Sequence, residues 1–402
     1  MTTPRKRLIL ILGDQLDEDA SALSDFDPAH DTLWMAEVLE ESTHIPSSKQ
    51  RTTVFLSAMR HFAEHLQARG WPMVYSQLDD AHNTGTLAGE LSRAIAQVQP
   101  QLLVMTAPGD WRVLQSIRAV AKQHDLPLEI KDDTHFFSTV RDFATHAEGR
   151  KQLRLEYFYR ELRQKNGILM EGKKPIGGQW NFDADNRGSF GKQGPGMLPP
   201  PTRVAPDAIT QDVMRVVNDK LAHHPGSIAQ FGWPVTRAQA LVALDEFITH
   251  RLPSFGLYQD AMWEGEVWLY HSHLSCALNL KLLNPREVLA AAEAAFHNGH
   301  APLQAVEGFV GNTVMFSRRA LQILGPWDET QQGADFDLFL RTALRSREVG
   351  DIRPMHIALD CFNHHYIRLT MKGGYPPFAD RDKLVPFDQK WTAEQRAWLV
   401  EN

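Results

Sequence analysis

Gly13-Asp14-Gln15-Leu16 closes the first apolar run of the chain, and Glu37 follows the second. Open parallel sheets bind ligands beyond the carboxyl ends of their strands. A carboxylate placed there accepts hydrogen bonds from ring N–H or hydroxyl groups, although the same residues also suit an ordinary polar turn. The G-x-G-x-x-G pattern that grips a dinucleotide is absent after the first run. Farther on, Arg150, Lys151, Arg154, Arg160, Arg163, Lys165, Lys173 and Lys174 surround Tyr157, Phe158, Tyr159 and Trp180. Interleaved cations and rings offer phosphate contacts and stacking for a flipped base, while a solvated basic helix has the same look. His271-Ser272-His273-Leu274-Ser275 reads by itself as a capping serine with two surface histidines. Those histidines are two apart and do not share a helix face for a metal, so no metal site is expected. Glu307 by itself reads as a solvated helix residue.

The whole chain sets the limits. Its 402 residues bury a sizeable core and suggest two or three domains. Hydrophobic residues are 43% and charged ones 23%, the balance of a soluble folded protein. Lys and Arg total 42 against 49 Asp and Glu, a net charge of −7. That excludes coating nucleic acid by bulk charge but leaves room for a local basic groove. Two cysteines, Cys276 and Cys361, cannot build a disulfide framework or a four-thiolate metal or iron–sulfur site. A reduced, cytoplasmic chain is expected. No apolar run approaches the roughly 20 residues of a membrane span, and Met1 to Lys6 leads into a strand rather than a signal segment.

These residues need elements to hold them. Arg7 to Leu12 is a continuous apolar run suited to a buried parallel strand, and Thr32 to Ala36 is a second. Val54, Met59, Phe62, Ala63 and Leu66 mark one face of a helix from Lys49 to Ala68, which Gly70 ends. Pro72 to Tyr75, Leu102 to Thr106 and Leu128 to Ile130 read as further strands, with helices at Leu87 to Val98 and Trp111 to Gln123. Strands alternating with helices predict a doubly wound α/β sheet. From Gly172 to Thr202 the chain is rich in Gly, Pro and polar residues, as in a linker or functional loop. Beyond Pro206 the pattern is mostly helical. Thr236 caps a helix from Arg237 to Arg251 with Ala240, Leu241, Leu244 and Phe247 on one stripe, and Leu278 to Leu283 precedes a helix that starts at Pro285.

Several runs together resemble the cryptochrome/photolyase superfamily. They are Leu12-Gly13-Asp14-Gln15-Leu16, Met35-Ala36-Glu37-Val38, Phe55-Leu56-Ser57-Ala58-Met59-Arg60-His61-Phe62, Leu78-Asp79-Asp80 and Leu155-Glu156-Tyr157-Phe158-Tyr159-Arg160. The nearest branch is the bacterial photolyase-related one, the prokaryotic (6-4) photolyase type that carries an iron–sulfur cluster. Gly177-Gly178-Gln179-Trp180-Asn181-Phe182-Asp183 is similar to its interdomain loop. Phe255-Gly256, Gln259-Asp260-Ala261-Met262 and Leu269 to Ser275 look like the entry to its flavin domain. The resemblance runs from about residue 8 to 310.

It implies an α/β antenna domain over 1–135, an interdomain helix and linker over 136–205, and a partial helical FAD-binding domain over 206–310. The activity implied is light-driven repair of pyrimidine photoproducts in DNA, of the (6-4) type. A dimethyl-ribityl-lumazine antenna would sit at Gly13, Asp14, Gln15 and Glu37. FAD would be held by Tyr258, Gln259, His271, Ser272, His273, Leu274 and Ser275, with hydroxyls and helix-start N–H groups on its phosphates. Glu307 matches a glutamate near the flavin and substrate pocket. Lys173, Lys174, Gln179 and Trp180 would meet damaged DNA.

After Val310 the family's pattern stops, and with it the clustered cysteines and the tryptophan-rich electron path. Gly311 to Leu321, Gly325-Pro326-Trp327-Asp328-Glu329 and Gly333 to Arg341 instead resemble the late part of a family 2 GT-A glycosyltransferase, with Asp335 in the general-base position. The expectation is a chimeric or truncated photolyase-like flavoprotein joined to a divergent tail over 311–402. A chromophore-binding module without repair, and glycosyl transfer by the tail, are the alternatives.

Overall fold

The computed structural model describes residues 6–150, 153–182, 185–266 and 268–314. The described residues divide into two compact units: those within 1–108, 113–146 and 159–316 belong to the first, and those within 109–112 and 147–158 to the second. The sheet and every candidate site residue belong to the first.

The α/β layer runs β1 (Arg7–Leu10), β2 (Asp31–Ala36), the one-turn α1 (Glu40–Thr43), α2 (Lys49–Ala68), β3 (Met73–Ser76), α3 (Leu87–Val98), β4 (Leu102–Thr106), α4 (Trp111–Gln123) and β5 (Leu128–Lys131). Every pairing in this sheet is parallel, in the order β3-β2-β1-β4-β5. The strand order therefore reverses between β1 and β4, and the loop after β1 lies at the switch point where such sheets take ligands. Period-two alternation explains why both faces are covered. Leu8, Leu10, Trp34, Leu103 and Met105 point to one core with Leu91 and Ile95 of α3 and Ile117 of α4. Ile9, Ile11, Leu33, Met35 and Val104 point to the other with Val54, Met59 and Leu66 of α2. Ser48 starts α2 by accepting from the Arg51 N–H, and Gly70 at φ +75° follows its end.

Next come α5 (Val140–Ala147), α6 (Leu155–Asn166) and a small hairpin of β6 (Met170–Glu171) and β7 (Lys174–Pro175). The helical region holds α7 (Ala208–Lys220), α8 (Arg237–His250), α9 (Leu252–Tyr258), α10 (Ser275–Asn279), α11 (Pro285–His297) and α12 (Leu303–Val314). Capping boxes Thr236 with Gln239 and Asn284 with Glu287 set the starts of α8 and α11. Val213, Phe247, Leu252, Phe255, Val288 and Phe309 share one continuous core with the α2 face of the sheet. Burying each such side chain contributes about 1.5–3 kcal/mol. Helices α9 and α12 approach closely at Gly256, where an added Cβ would stand 2.6 Å from the Ala305 Cα.

Three expectations are corrected. Leu241 is exposed at 39%, one position off the buried row of Ala240, Leu244 and Phe247. The segment Leu278 to Leu283 is not a helix: α10 ends at Asn279, and Lys281 turns left-handed at φ +63°. That turn lets Leu280, Lys281, Leu282 and Leu283 all be buried, with the Lys281 ammonium 2.8 Å from Asp133. The Gly/Pro-rich linker begins with the β6–β7 hairpin rather than as open loop. At Val310, where the sequence changes character, α12 runs on to Val314 without a break.

Candidate functional site

Gly13, Asp14 and Gln15 form the loop at the switch point. An added Cβ on Gly13 would stand 2.9 Å from the Met59 Sδ, so a larger residue there makes the Met59 side chain of α2 shift. Asp14 is half-buried. Gln15 is buried, and its side-chain N–H donates to the carbonyls of Thr106 and Ala107 at 3.3 Å each, stitching β1 to β4 across the switch point. The next N–H, of Leu16, donates to the Leu280 carbonyl of the helical region.

Glu37, at the end of β2, is 1% exposed. Its Oε1 accepts from Arg60 Nε at 2.8 Å and from the Tyr75 hydroxyl at 2.5 Å. Its Oε2 accepts from Arg60 Nη2 at 2.9 Å and the Leu78 N–H at 2.8 Å. Four donors occupy the carboxylate, which has about four acceptor positions in all. Its task in this arrangement is to hold Arg60, which also reaches Asp79 and Asp212. Burial pulls the Arg60 guanidinium down, and the bonds and charge of Glu37 more than reverse that, leaving it above its ordinary value. Burial and Glu37 push the Tyr75 phenol well up. An open cleft of about 400 Å³ beside this cluster is lined by Arg60, Tyr75, Gln77, Ile209 and Asp212 among others. None of Gly13, Asp14, Gln15 or Glu37 lines it.

The second group lies between α9 and α10. Tyr258 stacks on Phe190 at 4.8 Å and leans on Tyr270 at 5.2 Å. Gln259 lies half-buried beside it. In the loop before α10, His271 is exposed, Ser272 and His273 half-buried and Leu274 buried, and Ser275, the first residue of α10, is exposed. Ser272 Oγ accepts from the Leu274 N–H, and His273 is left-handed at φ +57°. Burial first, then the charges of Arg251 and His271, lowers His273 to about 4, so it is neutral at pH 7. Arg251 is the residue missed here. It is 2% exposed and donates to the carbonyls of Leu269 and Pro199. Burial lowers its pKa, yet it stays charged and brings a cation to this loop. In the sequence it reads only as a basic residue closing a helix.

The third group joins α6 to α12. Glu307 is buried at 6% exposure, and the Tyr159 hydroxyl donates to its Oε1 at 3.0 Å. Arg163 is 1% exposed, donates to the carbonyls of Ile168 and Leu169, and brings Nη1 to 3.7 Å from the same oxygen. Its guanidinium carbon lies 5.5 Å from the Tyr159 ring and 5.3 Å from the Trp180 ring. Arg160 also faces Trp180, at 5.5 Å. Glu307 is thus not a solvated helix residue, and Arg163 is withdrawn from any phosphate contact. Lys173, Lys174 and Gln179 are exposed and Trp180 is half-buried. Among the described residues no cluster of His, Cys, Asp or Glu could hold a metal ion, and no helix is long and apolar enough to cross a membrane. The glycosyltransferase-like segment with Asp335 lies outside the described residues, as does Cys361.

The model of the family described as deoxyribodipyrimidine photo-lyase-related protein matches residues 9–233, more than half of the chain. The chain belongs to that family. The match takes in the β1 and β2 edge, the α6 tyrosine and the Trp180 loop, and it stops before the Tyr258–Ser275 segment and Glu307. A (6-4) photolyase of Agrobacterium fabrum is 42% identical over 328 residues, 81% of this chain and 62% of that protein. The chain therefore spans under two thirds of that photolyase-related protein's length. An uncharacterized protein of Acanthamoeba polyphaga mimivirus is 21% identical over 193 residues, 45% of this chain and 94% of that one. Two solved structures are similar at low identity. A bacterial class III photolyase from Agrobacterium tumefaciens has a TM-score of 0.49 at 13% identity, over 86% of this chain and 66% of that one. A Synechocystis cryptochrome has a TM-score of 0.45 at 14% identity, over 84% and 68%.

Proposed function

We propose that this chain is a photolyase-type flavoprotein that binds pyrimidine photoproducts in DNA, of the (6-4) type, and repairs them in the light. The observation that carries this reading is the 42% identity to a (6-4) photolyase across 81% of the chain.

FAD would be held by the segment from Tyr258 to Ser275. The donor set suits a pyrophosphate. The Ser272 and Ser275 hydroxyls stand beside the first-turn N–H groups of α10, which have no partner within their own helix. Arg251 adds a buried cation nearby, and neutral His273 donates or accepts without adding charge. When bound, FAD would supply the light-driven electron transfer to the lesion. Glu307, held by Tyr159, would present a fixed carboxylate beside the Arg163 guanidinium that also faces Trp180. Lys173, Lys174 and Gln179 contact DNA phosphates, and Trp180 stacks on a displaced base. A dimethyl-ribityl-lumazine would sit against Gly13, Asp14 and Gln15, with Glu37 acting through its backbone and through Arg60, since its carboxylate is already filled. No iron–sulfur cluster is proposed: two cysteines are too few for one.

The test is a repair assay. The purified protein, reconstituted with FAD and reduced, is illuminated with an oligonucleotide carrying one (6-4) photoproduct, and restored thymines are quantified by chromatography. Repair that depends on light and FAD supports the reading. A protein that binds FAD and damaged DNA but restores nothing overturns the repair claim.

A further inference from the structure

The hydrogen bond between Tyr159 and Glu307 can do more than hold the carboxylate in place. A phenol, 7% exposed, donates at 3.0 Å to a carboxylate, 6% exposed, with a guanidinium beside both. Losing an electron makes a phenol strongly acidic, and a buried phenol oxidises readily only if its proton has somewhere to go. The Glu307 Oε1 provides that place along an existing hydrogen bond. Burial, followed by the charge of Glu307, holds the proton on Tyr159 in the resting state. The Arg163 guanidinium lies 3.7 Å from that same oxygen and places a positive charge beside the acceptor.

We propose that Tyr159 is a redox-active tyrosine whose proton acceptor is Glu307. In the step, Tyr159 loses one electron to a one-electron oxidant and its hydroxyl proton to the Glu307 carboxylate. The products are a neutral tyrosyl radical, a protonated Glu307 and the oxidant reduced by one electron. The total charge of the protein pair rises by one, that of Glu307 being neutralised. In the cell the oxidant is photoexcited oxidised flavin, the chemical class that the proposed function supplies; only this identity rests on that reading. The half-buried Trp180 ring lies against the same guanidinium as Tyr159 and is the neighbouring oxidisable group on the way to solvent.

The experiment needs no flavin. A flash-generated ruthenium(III) tris-bipyridyl oxidises the purified protein, and electron paramagnetic resonance follows the radical. The wild type gives a long-lived neutral tyrosyl signal. Tyr159→Phe and Glu307→Gln each reduce it at least about tenfold, the change that one pKa unit's worth of differential stabilisation produces. Tyr157→Phe, at an exposed ring, leaves it intact. A signal unchanged in Tyr159→Phe overturns the assignment, and one unchanged in Glu307→Gln overturns the acceptor. Should a variant fail to fold, the wild type still decides. Infrared difference spectra after the flash show a new protonated-carboxyl band, and a tyrosyl radical without that band contradicts the pairing. A protein that forms this radical but never binds FAD sinks the flavoprotein reading alone.

Discussion

The Arg60 guanidinium grips the Glu37 carboxylate with two parallel bonds, Nε to Oε1 at 2.8 Å and Nη2 to Oε2 at 2.9 Å, both side chains buried. This pair fastens α2 to the end of β2, and through Asp212 it fastens α7 to both. Arg60→Met leaves a buried carboxylate without its counter-charge, which costs about 3–5 kcal/mol. Urea denaturation checks this, and a loss below about 1 kcal/mol would show that the pair is not buried in solution. Replacing both partners by apolar residues of similar volume recovers most of the loss.

The crossing of α9 and α12 rests on a missing side chain. Gly256→Ala puts a methyl 2.6 Å from the Ala305 Cα and 2.8 Å from the Asn186 side-chain oxygen. Backbone must shift, at about 1–3 kcal/mol. Gly191→Ala, with nothing within 4 Å of its added Cβ, stays within about 0.5 kcal/mol of the parent. Thermal melts of the two variants side by side check the contrast; equal shifts would contradict it.

His273 makes stability depend on pH. Its folded pKa is lowered to about 4, from an ordinary value of 6.5. Between those values the unfolded chain binds the extra proton, so stability rises with pH through this window and is complete above it. Partial solvent screening limits the effect to about 1–2 kcal/mol. His273→Gln flattens the denaturation profile between pH 4 and 6.5, whereas an unchanged slope would assign the dependence elsewhere.

The α/β layer was legible because its signals are local. Ile9 and Leu10 alternate between two cores and Gly70 takes the left-handed turn that ends α2, while in the helical region Thr236 caps where it stands. The site was legible only in part. Glu37 is conspicuous as a residue, but its partner Arg60 is conspicuous only as a charge on the buried row Thr53, Ser57 and Arg60 of α2, a row otherwise closed to water. The Glu307 contact with Tyr159 spans 148 positions, and no period in the sequence connects α12 to α6. The segment around Lys281 is no helix: its backbone is left-handed there and its buried ammonium meets Asp133, 148 positions away, a partner no local pattern points to. Arg163 shows the same lesson from the other side: a basic residue among aromatics reads as a phosphate contact until its donors are found on the Ile168 and Leu169 carbonyls.

The most direct measurement of the central claim is the absorbance and fluorescence of the supernatant released by heating the purified full chain. The account predicts FAD, lost or loosened about a hundredfold or more when Ser272 and Ser275 are both replaced by Ala, since two hydroxyl bonds to phosphate contribute about 1.5–3 kcal/mol each. Lumazine released without FAD would leave an antenna module and end the repair reading. No chromophore after reconstitution with both would contradict the flavoprotein account altogether.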